Sequence, residues 1–350
     1  MLSLRSALVV LVASAIGASA NRGLSMKVTG PDAVDGVDKL KVVTTVTNTG
    51  DETLKLLNNP LGPLSKMPTN TFAIINEQSG GLPRFNGIKV KYVANSAIQV
   101  GGADAFTILA PGQSVAVEHD LSAAYNFTES GVGKYYVEAN NVFQYVDPST
   151  QKATELVAEV AEAHAASISG KLAVARPTVQ KRATFTGCSS SQQSSLNSAA
   201  PAAQTYVKNA LAYLKAHTSA TTRYTTWFGS YTSSRHTTVQ NHFNNMNGNT
   251  YTSYHWDCTC TDSGVYAYVS PSDFGHVYLC GAFWSAPTTG TDSKAGTIVH
   301  ESSHFTRNGG TSDYAYGQSA AKSLAKSTPS QAVMNADSHE YFAENNPALS

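Results

Sequence analysis

The sequence predicts an α+β protein in which a β-sandwich-like segment precedes a segment of mixed helices and strands. Two observations lead to this prediction. All four cysteines, Cys188, Cys258, Cys260 and Cys280, lie in the second half, whereas short runs of β-branched and aromatic residues separated by turn residues fill the first. A chain of 350 residues is also long enough for two domains, each with its own apolar core.

The charge balance disfavours two classes of partner, nucleic acid and membranes. The chain has 24 Lys and Arg against 24 Asp and Glu, so it offers neither a basic surface for nucleic acid nor a polybasic patch for an anionic membrane. Charged residues make up only 14% of the chain, and hydroxyl-bearing residues are abundant. This composition is typical of a secreted protein with a neutral surface.

The first twenty residues indicate a signal peptide. Arg5 precedes an apolar run over residues 7–16, and the small-residue pattern Ala18-Ser19-Ala20 follows at once. This run is much shorter than the roughly 20 apolar residues that a membrane span requires. We therefore expect cleavage after Ala20 and export of the protein to the extracellular space.

Residues 21–182 form the β-rich segment, which we interpret as a pro-region. Strand-like runs occur at 40–46, 87–93, 114–119 and 134–138, a pattern that favours a small β-sandwich. The dibasic pair Lys181-Arg182 follows an Ala- and Ser-rich stretch shortly before the first cysteine, where a processing protease can reach the backbone. We expect that protease to remove the pro-region and to leave residues 183–350 as the mature domain.

Helices and strands are both predicted in residues 183–350. Apolar residues recur at helical spacing over 190–217, and a second helix is predicted at 238–246. Strands are expected at 265–269 and 277–284, on either side of a turn at Pro271, and helices follow them.

An even number of cysteines in an exported chain predicts two disulfides. A bridge between Cys258 and Cys260 would close a very small, strained loop, so two of the three possible pairings remain. A thiolate zinc site is disfavoured because Cys-x-Cys lacks the usual knuckle spacing and because secretion favours oxidation.

The stretch that carries chemistry is His300-Glu301-x-x-His304. Residues four apart return to one face of a helix, so the two histidines can ligate one metal ion. Glu301 lies beside that face, where it can accept a proton from a water whose pKa zinc has lowered. Asp292 or Ser293 can cap this helix. The alternative, a surface helix with two solvated histidines, is disfavoured by the glycine turn and the second motif that follow.

A catalytic zinc needs a third protein ligand and an open fourth position. The metzincin pattern would place a histidine at position 310, but this residue is Gly310. The nearest candidate is Asp313, which lies between Gly310 and Gly317, two residues that let the chain fold back toward the helix. Glu340 is the alternative third ligand, as in gluzincins.

The motif pair His300-Glu301-x-x-His304 and Gly310-Thr311-x-Asp313-x-x-Tyr316-Gly317 resembles that of the aspzincins, the deuterolysin group of zinc endopeptidases. The similarity extends over about residues 184–350 and is strongest to the fungal peptidyl-Lys members. It implies a zincin-like metalloprotease catalytic domain at 183–350 with one zinc ion. The implied roles are zinc ligation by His300, His304 and Asp313, general base and acid catalysis by Glu301, oxyanion stabilisation by Tyr316, and disulfides Cys188–Cys258 and Cys260–Cys280.

Substrate preference is assigned to two acidic residues near the carboxyl end, Asp337 and Glu340. Acids three apart share one face of a helix, and on the residues alone they indicate a solvated face. The resemblance implies instead that both carboxylates bind a lysine ammonium by charge-assisted hydrogen bonds, so that cleavage falls on the amino side of lysine.

We therefore expect a secreted, monomeric zinc endopeptidase that is made as a precursor and hydrolyses proteins or peptides. Two alternatives stay open. One is a gluzincin-type peptidase with Glu340 as third ligand, and the other is a non-catalytic secreted protein whose zinc is structural. The remaining histidines of the second half receive no role: His217, His236, His242, His255, His276 and His339.

Overall fold

The computed structural model of the chain describes residues 21–175 and 184–350 and has the mixed α+β architecture that the sequence predicted. The predicted signal peptide at 1–20 and the predicted processing pair Lys181-Arg182 lie outside these described residues. Among the helices of the described part, none is long and apolar enough to cross a membrane.

Buried and more exposed residues alternate along the strands of the first half, as expected when one face of a sheet packs on a core. In β3, for example, Val42, Thr44, Val46 and Asn48 are buried and the residues between them are not. The elements of this half are β1 (Leu24–Thr29), β2 (Ala33–Asp35), β3 (Lys41–Asn48), β4 (Leu54–Leu57), β5 (Phe72–Asn76), β6 (Arg84–Phe85), β7 (Lys89–Tyr92), α1 (Ala94–Val100), β8 (Phe106–Leu109), β9 (Ser114–Asp120), β10 (Tyr125–Asn126), β11 (Gly133–Ala139), β12 (Val142–Val146), β13 (Ala153–Val157), β14 (Glu159–Val160) and β15 (His164–Ser169).

Two four-stranded sheets of the first half share one apolar core. Their strand orders are β14-β1-β3-β9 and β2-β15-β11-β5. Val42 and Val46 of the first sheet and Tyr135 and Val137 of the second belong to the same buried cluster. A third sheet has the order β13-β12-β4-β8, and β10 pairs with β6. The β-rich, sandwich-like character of this half agrees with the sequence, whereas its role as a pro-region remains a prediction.

Helices surround a separate apolar core in the second half. The side chain of Ser189 and that of Gln192 form a capping box that begins the longest helix. The elements are β16 (Phe185–Thr186), α2 (Ser190–Ala216), α3 (Thr222–Phe228), α4 (Ser233–Asn247), β17 (His255–Asp257), β18 (Val265–Val269), β19 (His276–Leu279), α5 (Gly281–Ser285), α6 (Lys294–His304), α7 (Gly317–Ser327), α8 (Pro329–Ala332) and α9 (Ala336–Glu344).

One strand prediction in this half is wrong over part of its length. The strand predicted at 277–284 ends at Leu279, and residues 281–285 form the short helix α5. The chain passes so close to Ser263 that a Cβ on Gly281 would lie 2.6 Å from the Ser263 Cα. Only glycine fits at this close approach, and Phe283 reaches the core from a helical turn instead of from a strand. The two strands on either side of the predicted turn, β18 and β19, pair in antiparallel orientation.

A strand of the first half completes the sheet of the second. The five-stranded sheet has the order β16-β17-β19-β18-β7. Strand β7 runs antiparallel to β18, with Lys91 opposite Ala267 and Val90 opposite Tyr268. The two halves therefore have separate cores but share one sheet.

Both disulfides join elements of the second half. Cys188 is bonded to Cys258 and Cys260 to Cys280, with Cα separations of 5.0 and 4.9 Å. These are the two pairings that the family resemblance implied. The first bridge fixes the start of α2 beside β17, and its 70-residue separation makes it the stronger constraint on the unfolded chain.

Candidate metal centre and active site

Helix α6 carries the His-Glu-x-x-His motif, and it is buried along its whole length. The helix begins at Ser293, whose Oγ accepts a hydrogen bond of 2.9 Å from the Gly296 backbone nitrogen. Of the two predicted capping residues, Ser293 is the cap. Glu344 of α9 supports it by accepting 2.9 and 2.8 Å hydrogen bonds from the backbone nitrogen and hydroxyl of Ser293.

The two histidines of the motif face one point. The Nε2 atoms of His300 and His304 lie 3.1 Å apart. The Nδ1 of His304 lies 3.0 Å from the Thr311 carbonyl oxygen, and the Nδ1 of His300 lies 2.8 Å from Asp337 Oδ1. Because an oxygen atom lies close to each Nδ1, each Nε2 can keep its lone pair for a metal ion.

Asp313 reaches the same point from the loop after α6. Its Oδ1 lies 3.3 Å from His300 Nε2 and 3.2 Å from His304 Nε2. The loop folds back through Gly310 and Gly317, which have φ angles of +57° and +80°, a region that favours glycine. The sequence interpretation of these two glycines thus agrees with the backbone.

The three donor atoms fit a zinc ion. Tetrahedral zinc with bonds of about 2.0–2.1 Å places its ligands about 3.3–3.4 Å apart, close to the 3.1–3.3 Å separations found here. Asp313 Oδ1 is also a buried atom without a hydrogen-bond donor in the described part of the chain. Against the opposing effect of burial, His304 and His300 lower the pKa of Asp313 and keep it a carboxylate.

Glu340, the alternative third ligand, lies on the other side of the His300 ring. Its Oε2 is 3.3 Å from His300 Nδ1, and it groups with His300 and Asp337 instead of with His304. The geometry therefore favours Asp313 over Glu340 as the third ligand of a site that contains both histidines.

Glu301 and Tyr316 border this centre. Glu301 is fully buried, and burial raises its pKa well above the ordinary value. Its Oε1 accepts a hydrogen bond of 3.0 Å from the backbone nitrogen of Lys91. The hydroxyl of Tyr316 donates a hydrogen bond of 2.8 Å to the carbonyl oxygen of Val90. Both side chains thus contact the same peptide group, the one that joins Val90 to Lys91.

Asp337 and Glu340 line a buried acidic pocket instead of a solvated face, and both are fully buried on α9. The pocket holds the ammonium of Lys91, whose Nζ lies 3.2 Å from Asp337 Oδ1 and 2.8 Å from Glu340 Oε2. Asp292 Oδ1 lies 3.1 Å from the same nitrogen. Burial alone would lower the pKa of Lys91, but Asp337 and Glu340 raise it well above its ordinary value, so the side chain is charged.

Three members of the pocket were not predicted from the sequence. Lys91 comes from β7, far away in the chain, and no local pattern distinguishes it from a surface lysine. Asp292 was interpreted only as a possible helix cap. The hydroxyl of Tyr341 donates a hydrogen bond of 2.6 Å to Asp292 Oδ1; its place on the same helix as Asp337 and Glu340 is the one signal that could have suggested it.

The chain is similar to known proteins of one family. A family model described as lysine-specific metallo-endopeptidase, Aspzincin, matches residues 213–344. The chain is 65% identical to the peptidyl-Lys metalloendopeptidase of Grifola frondosa over 99% of both chains, and 55% identical to that of Armillaria mellea over 100% of this chain and 99% of the relative. The solved zinc peptidase from Grifola frondosa is 70% identical, with a TM-score of 0.46 over 47% of this chain and 100% of its own.

Proposed function

The chain belongs to the aspzincin family of lysine-specific metallo-endopeptidases, and from this premise we propose a secreted zinc endopeptidase that hydrolyses proteins and peptides on the amino side of lysine. One observation carries the specificity. Asp337 Oδ1 lies 2.8 Å from His300 Nδ1 and 3.2 Å from a lysine ammonium. A lysine side chain in this pocket therefore has its backbone next to the metal centre.

We assign the metal to His300, His304 and Asp313. When bound, zinc supplies Lewis acidity, which lowers the pKa of a water and polarises the scissile carbonyl. Thr311 orients the imidazole of His304, and Asp337 orients that of His300, because an oxygen of each lies close to the Nδ1 atom of the ring. The loop between Gly310 and Gly317 holds the Asp313 carboxylate opposite them.

Glu301 is the proposed general base and acid. Its carboxylate is buried beside the proposed metal centre, where it can take a proton from a water and later give it to the leaving nitrogen. The 3.0 Å contact between its Oε1 and the Lys91 nitrogen supports this role, because it brings the carboxylate next to the nitrogen of a peptide bond. Tyr316 is the proposed oxyanion donor, because its hydroxyl contacts the carbonyl oxygen of the same bond.

Asp337, Glu340 and Asp292 are proposed to select lysine. Their carboxylates surround one ammonium within 3.2 Å, and Asp337, Glu340 and the ammonium are fully buried. A compact ammonium with three donors fits three separate acceptors, whereas the planar guanidinium of arginine requires a forked arrangement. An uncharged side chain would leave these buried carboxylates without a partner, at a cost of several kcal/mol.

The organisation as a precursor is also proposed: a signal peptide at 1–20, a pro-region at 21–182 and a catalytic domain at 183–350. The separate apolar cores and the restriction of both disulfides to the second half support this division. Secretion is supported by the predicted signal peptide and by the disulfides. We further propose that the mature enzyme is a monomer and that a processing protease cuts at Lys181-Arg182.

Digestion of a denatured protein tests the function directly. New amino termini are sequenced after incubation with the processed enzyme, with and without a chelator. We expect lysine at these termini and loss of all cleavage with the chelator. The Glu301→Gln variant, which keeps the zinc ligands, is the control for a contaminating protease. Termini other than lysine would refute the specificity, and cleavage that persists in chelator would refute the metal dependence.

A further inference from the structure

Strand β7 of the first half lies across the candidate active site in the manner of a bound peptide. It is added to the edge of β18 in antiparallel pairing, with Lys89 opposite Val269 and Val90 opposite Tyr268. Addition of an extended segment to a sheet edge is a common mode of peptide recognition, in which main-chain hydrogen bonds give affinity and pockets give specificity.

The backbone of β7 contacts the proposed catalytic groups. Tyr316 donates to the Val90 carbonyl oxygen at 2.8 Å, and the Lys91 nitrogen donates to Glu301 at 3.0 Å. The Val90 nitrogen donates to Asp313 Oδ2 at 3.2 Å. The oxygen and the nitrogen of one peptide bond thus face an oxyanion donor and a proton-transfer group.

The side chain of Lys91 fills the acidic pocket that we propose for substrate lysine. It is fully buried, and three carboxylates surround its ammonium. The other lysine of the strand, Lys89, is only partly buried, and its ammonium donates a hydrogen bond to the Ser312 hydroxyl. At position 91, therefore, the side chain lies in the acidic pocket and the backbone nitrogen lies next to Glu301.

We propose that the Val90–Lys91 bond is an internal substrate of this chain, cut by its own catalytic centre. This inference rests on the proposed function. Hydrolysis consumes one water: the carbon–nitrogen bond breaks, the hydroxyl joins the Val90 carbonyl carbon, and Glu301 passes a proton to the Lys91 nitrogen. The products are a carboxylate at Val90 and a new amino terminus at Lys91.

Space for water lies beside Lys89, the residue that precedes Val90. A cleft of about 510 Å³, lined in part by Lys89, His304 and Ser312, lies beside the strand. A second cavity of about 150 Å³ is lined in part by Lys89 and Asp313. Each of these volumes can hold several waters.

Two consequences follow for the precursor. While the bond is intact, Lys91 occupies the pocket at the high effective concentration of a tethered segment, so added substrates are excluded. The cut at Val90–Lys91 is also distinct from the predicted processing at Lys181-Arg182, because the first depends on Glu301 of the same molecule and the second on another protease.

The test uses the full-length precursor, its Glu301→Gln and Lys91→Met variants, and Lys134→Met as a matched control. Lys134 belongs to the same half but pairs with Glu77 on the surface. Each protein is incubated with zinc at several concentrations, and the fragments are identified by intact mass and amino-terminal sequencing. Zinc content and circular dichroism establish that each variant is folded and loaded.

We expect a fragment that begins at Lys91 from the wild-type and Lys134→Met proteins, formed at a rate independent of protein concentration. Glu301→Gln and Lys91→Met should not yield it. Lys91→Met should also hydrolyse an added lysine peptide at least about tenfold faster than the wild-type precursor does initially, because methionine has no ammonium with which to hold β7 in the acidic pocket against the added lysine.

The proposal is overturned if the wild-type bond stays intact while Lys91→Met cleaves the added peptide, or if Glu301→Gln yields the same fragment. If no preparation cleaves the added peptide before lysine, the proposed function fails, and the internal substrate fails with it.

Discussion

His300 Nδ1 lies 2.8 Å from Oδ1 of Asp337, and this one contact connects the proposed metal ligand to the lysine pocket. The same carboxylate oxygen lies 3.2 Å from the Lys91 ammonium. His300 and Lys91 lower the pKa of Asp337 against the effect of burial, so it stays charged. We therefore propose that Asp337 couples metal binding to substrate selection.

The Asp337→Asn substitution should weaken both functions. The imidazole of His300 loses its charged acceptor, so zinc affinity should fall by about 10- to 100-fold, and kcat/KM for lysine peptides should fall as well. Asp292→Asn is the control, because Asp292 contacts the ammonium but not His300. It should reduce kcat/KM for lysine by about tenfold through the lost charged contact, with unchanged zinc affinity.

Competition with a chromophoric chelator measures the zinc affinity of each variant. Equal zinc affinity in Asp337→Asn and Asp292→Asn would contradict the coupling.

The identity of the third zinc ligand is tested by Asp313→Asn and Glu340→Gln. Loss of Asp313 removes a ligand, so bound zinc should be lost on dialysis. Glu340→Gln should retain about one zinc per chain and lose lysine cleavage instead, since its Oε2 lies 2.8 Å from the ammonium. Metal analysis after dialysis distinguishes the two, and zinc loss only in Glu340→Gln would support the gluzincin alternative.

The Glu301→Gln substitution should abolish most turnover without loss of metal. An amide cannot carry the proton, so kcat should fall by about 10²- to 10⁴-fold, while zinc content stays at the wild-type level. Single-turnover rates on a lysine peptide measure the loss. A variant with near-normal kcat would remove Glu301 from the mechanism.

Tyr316→Phe should lower kcat by about 100-fold and change KM little, because an oxyanion donor acts mainly in the transition state. Tyr314→Phe is the matched control, since Tyr314 lies in the same loop and is largely exposed. A kcat effect of equal size in both variants would indicate disturbance of the loop instead of loss of a donor.

Acid should destabilise the fold through a buried histidine pair. His242 Nδ1 lies 3.0 Å from His339 Nε2, and burial lowers the pKa of His242 to about 4 and that of His339 to about 3. At pH values between these two and the ordinary histidine pKa of about 6.5, the unfolded chain binds more protons than the folded protein does. The stabilisation from the neutral pair is therefore complete above about pH 6.5 and is lost as the pH falls toward 4.

Urea unfolding at pH 7.5 and pH 5 measures this effect. Each imidazole should contribute a decrease of about 2 kcal/mol in the free energy of unfolding. His242→Gln removes one titrating group, so its decrease should be smaller by that amount. Identical decreases in the wild type and the variant would contradict the assignment.

Local sequence patterns predicted much of the site. The spacing of His300 and His304 on one helix fixed the direction of both imidazoles, because helical geometry is local. Gly310 and Gly317 indicated the return of the loop that carries Asp313, because their φ angles are ones that glycine tolerates best. The burial of Asp337 and Glu340 did not follow from their spacing, which a solvated helix face would share.

Long-range pairing could not be predicted. The runs at 87–93 and 265–269 were both expected to form strands, and both do, yet nothing in either indicates that they pair. The position of Lys91 depends on that pairing, since its ammonium reaches the pocket only when β7 lies on β18. The short helix at Gly281–Ser285 was likewise missed, and the close approach of Gly281 to Ser263 at its start is a tertiary contact that local sequence does not indicate.

The sheet shared by the two halves also bears on synthesis. The ribosome makes β7 well before β18, so the partner of this sheet edge already exists when the later strand emerges. An unpaired edge strand is a template for association between chains, and newly made chains are the population most exposed to it. Because β7 is made first, it can cover the edge of β18 as soon as that strand is made, before another chain pairs with it.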